Sequence, residues 1–115
     1  MPWKGKTMFN TRAKIQKFSQ QKKSEKLEKY LKSNKADIRI AAIKGLGAIG
    51  DDAAVNKLTT LLKSENMQER IAVAEALGNA GSQRVITFLT RGLKDEKDQN
   101  VITAFKKAIL KLRGG

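Results

Sequence analysis

Apolar residues recur along residues 36–66 with the spacing of two consecutive amphipathic helices. The first helix follows Asp37, a residue type that favours helix N-termini, and Gly50 supplies the permissive backbone that ends it. The apolar positions are Ile38, Ala42, Leu46 and Ile49 in the first helix and Val55, Leu58, Leu61 and Leu62 in the second. Because Asp51 and Asp52 can cap a second helix directly after Gly50, the segment predicts a helical hairpin.

Residues 67–97 repeat residues 36–66 at an offset of 31 positions. Of the 31 aligned pairs, 11 are identical, where ordinary residue usage gives about two. The identical residues of the first copy are Arg39, Ile40, Ala41, Leu46, Gly47, Gly50, Leu58, Thr59, Leu62, Lys63 and Glu65. Among their counterparts in the second copy are Arg70, Leu77, Gly78 and Gly81. A repeat of this length predicts stacked helical hairpins. We call the first helix of each hairpin in chain order the first-type helix and the second one the second-type helix.

Partial copies flank the two full ones. At the same offset, Leu27, Leu31 and Lys32 match the second-type helix of the first copy, which predicts a second-type helix over residues 24–33. Its first-type partner is expected over residues 9–20. The candidates for burial in that partner are Phe9, Ala13, Ile15 and Phe18.

One further first-type helix is predicted over residues 100–112, because Val101 and Ile102 fall at the offset of Arg70 and Ile71. It lacks the arginine and both glycines of the repeat. Terminal units of an array are atypical because one face meets water. The residues expected on that face are Lys106, Lys107, Lys111 and Arg113.

The whole chain, residues 1–115, is therefore predicted to be a single all-α domain of about three antiparallel hairpins. Its predicted parts are a flexible arm over 1–8, a degenerate hairpin over 9–35, repeats over 36–66 and 67–97, and a capping helix over 98–113. Trp3 and the lysines around it suggest that the arm orders on a partner or on a neighbouring copy.

Two repeated residue types suggest packing roles. Gly47 and Gly78 stand inside helices, where glycine costs roughly 1 kcal/mol relative to alanine, so we expect a neighbouring helix to approach closely there. Arg39 and Arg70 begin first-type helices and are expected to pair with a carboxylate of an adjacent turn. The candidate partners are Asp37, Asp51 and Glu69.

The run Arg39-Ile40-Ala41-Ala42, followed by Leu46-Gly47-Ala48-Ile49-Gly50-Asp51, resembles the HEAT repeat in its phycobilisome-lyase-type, HEAT-like variety. The second copy departs from the family pattern at Ser82, where the family favours Asp. The resemblance implies a short right-handed α-solenoid, an armadillo-like α-α superhelix whose second-type helices line a concave face. It also implies that the protein functions by binding a partner. The chain carries no catalytic motif from which a lyase activity follows.

Composition limits the classes of function that are open to the chain. The net charge is +13, and residues 1–35 carry 11 Lys or Arg against Glu25 and Glu28, so anionic partners are favoured. The chain has no Cys and no His, which removes thiolate chemistry, disulfides and the side chain that titrates near neutrality. We therefore expect no enzyme activity, no metal and no cofactor. The apolar runs are too short to cross a membrane and no secretory signal is visible, so a cytoplasmic location is expected.

The candidate binding residues form a lysine ladder on the second-type helices. At the offset of 31, Lys32, Lys63 and Lys94 align, and Lys26 aligns with Lys57. At twice that offset Lys29 aligns with Arg91, and Phe88 falls in the row of Lys26. We call these eight residues the basic strip; stacking is expected to place them in rows that hold phosphates or carboxylates. For Lys32, Lys63 and Lys94 the alternative is a favourable interaction with the helix dipole.

Phe88 also has two interpretations. Beside Arg84 and Arg91 it can stack on a base, or it packs under the terminal helix. The leading hypothesis for the chain is a non-enzymatic adaptor that presents a basic surface to an acidic protein or peptide. The alternative is a nucleic-acid-binding protein that neutralises phosphates with the lysines of the basic strip. An exposed apolar edge would also allow self-association.

Overall fold

A computed structural model describes residues 3–114, with side chains from Thr11 onward. That part of the chain is helical throughout, without strands, which confirms the all-α prediction. The helices are α1 (Trp3–Gln20), α2 (Ser24–Leu27, continued by a 3-10 helix over Glu28–Lys32), α3 (Ala36–Ile49), α4 (Asp52–Thr60), α5 (Met67–Ala80), α6 (Ile86–Asp95, preceded by a 3-10 turn over Gln83–Val85) and α7 (Gln99–Leu112).

The odd-numbered, first-type helices form one continuous layer, in which α3 packs against α1 and α5, and α5 packs against α7. The second-type elements α2, α4 and α6 lie against this layer and contact one another less. The core runs between the two layers and includes the fully buried Leu27, Ile43, Leu46, Leu58, Leu77, Leu89 and Phe105. Apolar residues at helical spacing on both layers thus build an elongated stack of 50 × 27 × 21 Å.

The predicted helix ends are confirmed at both glycines. Gly50 has φ 65° and donates its N–H to the carbonyl of Leu46 at 3.0 Å, and Gly81 has φ 76°. These left-handed conformations suit glycine because it has no Cβ. Asp51 caps α4 as predicted, since its Oδ1 accepts the N–H of Ala54 at 2.8 Å.

Asp37 does not cap α3, so that prediction is wrong. The helix begins at Ala36, two residues before the predicted start, and its flanking residue Lys35 makes no side-chain cap. Asp37 lies in the first turn, where its Oδ2 pairs with Nη2 of Arg12 at 2.7 Å. The hydrogen bond from Arg12 lowers the pKa of Asp37 below its ordinary value. The residue therefore connects α3 to α1.

The close approach predicted at the repeated glycines is confirmed. A Cβ on Gly47 would stand 2.7 Å from Cβ of Ala76, and one on Gly78 would stand 3.3 Å from Cα of Ala108. First-type helices therefore cross at positions where one of the two has no side chain. The loss of helix propensity at glycine is offset by this packing.

These contacts also correct the register predicted for α7. Gly47 and Gly78 are 31 residues apart, but their contact residues Ala76 and Ala108 are 32 apart. The turn before α7 has therefore gained one residue. The packing counterpart of Arg70 is Ile102, and the offset that assigned Val101 to this position is wrong by one residue.

The first hairpin is longer than predicted. Helix α1 begins at Trp3, six residues before the predicted start at Phe9. Ile15 is buried and Phe18 is partly buried, as predicted, but Ala13 is exposed because it lies on the face opposite Ile15. Phe9 lies outside the described side chains. The flexible arm over residues 1–8 stays a prediction.

Candidate binding surface

The basic strip lies on the second-type elements. Lys26 is in α2, Lys29 and Lys32 are in the 3-10 helix that continues it, and Lys63 is in the turn after α4. The other members are Lys57 in α4 and Phe88, Arg91 and Lys94 in α6. Seven of the eight members therefore lie in second-type helices, and Lys63 lies just after one.

Four lysines of the strip are available to a ligand. Lys26, Lys32, Lys63 and Lys94 are exposed, and within residues 11–114 none of them pairs with a carboxylate. These lysines can bind an anionic partner without first breaking an ion pair within the chain.

Two further cations of the strip are engaged. Nζ of Lys57 lies 3.4 Å from Oε2 of Glu28, and its side chain is only 23% exposed. Nζ of Lys29 lies 5.1 Å from the centre of the Tyr30 ring, a cation–π distance. Lys57 thus connects α4 to the preceding unit, and Lys29 keeps its charge at the surface.

Phe88 is exposed, so the interpretation that it packs under the terminal helix is wrong. The side chain is 40% exposed, and Cζ of Arg91 lies 5.9 Å from the ring centre. Phe105 of α7 occupies the buried space instead. It lies so close to Gly92 of α6 that a Cβ there would be 2.7 Å from its Cε2. The ring of Phe88 therefore belongs to the surface, beside a cation.

Arg84, which the sequence placed only beside Phe88, connects two second-type elements. Its Nη2 donates to Oδ1 of Asn56 at 2.8 Å and lies 3.9 Å from Oδ1 of Asp52. The repeat offset gives no signal for this contact, because Asp52 aligns with Gln83 in the next copy. Arg84 and Lys57 thus partly neutralise acids on these elements.

The repeated arginines pair with carboxylates of the following unit, as predicted. Of the three candidate partners, Glu69 pairs with Arg39, whereas Arg70 pairs with Glu96, which was not among them. Nη1 of Arg39 donates to the carbonyl of Ser33 at 2.7 Å, and its Nε pairs with Oε1 of Glu69 at 2.5 Å. In the next unit, Nη1 of Arg70 donates to the carbonyl of Ser64 at 2.7 Å. Each guanidinium therefore joins the turn before its helix to the following unit and is not available to a ligand.

Glu96 is the carboxylate partner of Arg70. Its oxygens accept Nε and Nη2 of Arg70 at 2.9 and 3.3 Å, and Oε1 also accepts the N–H of Asp98 at 3.1 Å. Burial acts to raise the pKa of Glu96, but these hydrogen bonds to the ionised form hold the pKa below its ordinary value. The pair is therefore charged at neutral pH and partly buried, with side chains 17% and 10% exposed.

The surface of the described part of the chain carries open grooves. One of about 500 Å³ crosses α5 between α3 and α7. Its polar lining residues are Lys44, Glu75, Asn79, Lys107 and Lys111. Within the described residues no group of three acids could hold a metal ion, and no helix there is long and apolar enough to cross a membrane.

Comparison with known proteins agrees with the stacked hairpins. A family model described as HEAT repeats matches residues 24–109, about three quarters of the chain. No similar sequence is found among curated proteins. The matched span contains the second-type element of the first hairpin, both full repeats and most of α7. The chain belongs to the HEAT-repeat family.

Proposed function

We propose that this chain is a non-enzymatic interaction module whose basic strip binds an acidic segment of a partner protein. HEAT repeats generally mediate protein interactions, and the observation that carries the proposal is the exposure of Lys26, Lys32, Lys63 and Lys94 without acidic partners in residues 11–114. The repeated arginines contribute nothing to this surface, because they are held within the stack.

The spacing of the units suggests an extended ligand. The first-type helices are the packed layer, so they set the repeat of the stack at about 8–10 Å. An extended chain advances about 3.3–3.6 Å per residue, so every third residue recurs at a similar interval. A segment with Asp or Glu at every third position would therefore present one carboxylate to each of Lys32, Lys63 and Lys94.

A nucleic-acid strand is the second candidate, and one observation favours it. The exposed ring of Phe88 lies beside Arg91, which is an arrangement that can stack on a base and contact the adjacent phosphate. The lysines would then bind phosphates, and affinity would fall steeply with salt.

The experiment that separates these candidates is fluorescence anisotropy with two labelled probes. One is an extended peptide with Glu at every third residue, and the other is a single-stranded oligothymidylate, each titrated over a series of salt concentrations. The test variant is Lys32→Glu/Lys63→Glu/Lys94→Glu. The matched control is Lys14→Glu/Lys17→Glu/Lys44→Glu, which makes the same charge change on exposed lysines of α1 and α3.

We expect the peptide to bind and the test variant to weaken it by about tenfold or more, while the control changes affinity by less than about threefold. Equal losses in both variants would mean that net charge alone drives binding. If the oligonucleotide alone binds, and Phe88→Ala weakens it, the second candidate replaces the first.

A further inference from the structure

The C-terminal end of the stack presents one exposed apolar side chain among cations. Leu110 of α7 is 56% exposed. On one side of it lies a groove of about 320 Å³ and on the other a groove of about 540 Å³. The first is lined by Thr90, Leu93, Lys106, Ile109, Leu110 and Arg113, and the second by Lys107, Leu110, Lys111 and Gly114.

No acidic side chain lines either groove, and residues 99–115 contain no Asp or Glu. Lys111 donates to the neutral amide of Asn79 at 2.5 Å, so its charge is not compensated. Leu110 therefore stands among four cations, two beside each groove. We call Lys106, Lys107, Leu110, Lys111 and Arg113 the end surface.

The packing register shows how α7 differs from the other first-type helices. Gly47 contacts Ala76, Gly78 contacts Ala108, and the residue of α7 that corresponds to these glycines is Leu110, 32 positions after Gly78. Glycine lets the next first-type helix approach closely, whereas a leucine holds any neighbouring helix at the wider end of the usual 8–10 Å range. The end surface is therefore not built to receive another unit of the same kind.

We propose that the end surface binds an acidic amphipathic helix of another protein. Apolar side chains of that helix enter the two grooves beside Leu110 and bury Leu93 and Ile109 further. Its acidic side chains meet the four cations. This site is separate from the basic strip, which lies on the second-type elements, so the two proposals stand or fall independently.

Charge complementarity selects this occupant over a second copy of the chain. Two end surfaces placed face to face would bring eight cations together without an acid. The opposite end of the stack is also unsuitable, because residues 3–20 carry five Lys or Arg and no Asp or Glu. Like charges across an interface disfavour association. An anionic membrane is disfavoured as well, because one exposed leucine supplies too little apolar surface for stable insertion.

The test uses the full chain and a fluorescein-labelled peptide with Leu at i, i+3, i+4 and i+7 and Glu on its remaining faces. A second peptide replaces each Leu by Ser. Leu110→Ser removes the exposed side chain without changing charge, and Lys107→Glu/Lys111→Glu reverses two cations. The matched control is Lys14→Glu/Lys17→Glu, with the same charge change on exposed lysines of α1. Circular dichroism verifies that each variant is folded.

We expect saturable binding that Leu110→Ser weakens by about fivefold or more and Lys107→Glu/Lys111→Glu by about tenfold or more, with a change of less than about threefold in the control. The Leu-to-Ser peptide is expected to bind at least about tenfold more weakly. The proposal is overturned by equal affinity for the two peptides, by unchanged affinity in Leu110→Ser, or by no binding up to about 100 μM. It is also overturned if phosphatidylserine vesicles, but not the peptide, bind in a Leu110-dependent way.

Discussion

Gly47 of α3 lies directly against Ala76 of α5, so closely that a methyl group on Gly47 would stand 2.7 Å from Cβ and 2.8 Å from Cα of Ala76. The obstacle includes backbone, which cannot rotate away as a flexible side chain can. At the next interface the equivalent separation is larger, since a Cβ on Gly78 would stand 3.3 Å from Cα of Ala108. The two glycines therefore make equivalent contacts, but the contact at Gly78 leaves more room for an added methyl group.

We predict that Gly47→Ala destabilises the fold, although alanine is the better helix former. Overpacking a tight contact costs about 1–3 kcal/mol, and relief of the glycine propensity returns roughly 1 kcal/mol. We expect a net loss of up to about 2 kcal/mol in the free energy of unfolding, measured by urea denaturation. Gly78→Ala is the matched comparison and should cost less. A Gly47→Ala protein as stable as the wild type would show that α3 and α5 separate without cost.

The ion pair of Arg70 and Glu96 predicts a pH dependence of stability. The pKa of Glu96 is lowered from its ordinary 4.5, so ionised Glu96 stabilises the folded state. That contribution is fully present above about pH 4.5, the pKa of the unfolded chain, and is lost as the pH falls through the lower pKa of the folded state. Glu96→Gln should therefore be less stable than the wild type at pH 7, by roughly 1–3 kcal/mol, and the difference should shrink below pH 4.5.

The measurement is the free energy of unfolding at intervals between pH 3 and pH 7 for the wild type and Glu96→Gln. Asp95→Asn serves as the control, because it removes the same charge from the neighbouring position and Asp95 is exposed. A gap between wild type and Glu96→Gln that stays constant down to pH 3 would mean that the charge of Glu96 contributes nothing beyond the shape of its side chain.

The sequence predicted the parts of the fold that repeat. Gly50 and Gly81 end their helices because identical residues at a fixed offset occupy identical surroundings. The arginines follow this rule only in part, since Arg39 pairs with Glu69 whereas Arg70 pairs with Glu96. The one-residue insertion before α7 escaped the same reasoning, since α7 keeps neither the arginine nor the glycines that would reveal the register. The sequence left two interpretations of Phe88 open, and the observed contact between Phe105 and Gly92 shows which ring fills the core.

The positions of Phe105 and Phe88 predict that truncation to alanine destabilises the fold strongly at the first and hardly at all at the second. Phe105 is 1% exposed and packs against Gly92, so Phe105→Ala should cost about 3–5 kcal/mol in the free energy of unfolding. Phe88 is 40% exposed, so Phe88→Ala should change that free energy by no more than about 0.5 kcal/mol. Urea denaturation of both variants checks the assignment. Comparable losses in the two would place Phe88 in the core after all.

The charges at the two ends of the stack predict that the chain is a monomer in solution. Residues 3–20 and residues 99–115 each carry only basic charged side chains, so end-to-end contacts of either kind bring cations together. This repulsion is strongest at low ionic strength, where the Debye length is about 30 Å at 0.01 M salt. Sedimentation equilibrium at about 0.01 M and 0.15 M salt should give 12.7 kDa in both. A mass that rises with protein concentration at the lower salt would show that self-association proceeds through another face, because charge repulsion at the ends is then at its greatest.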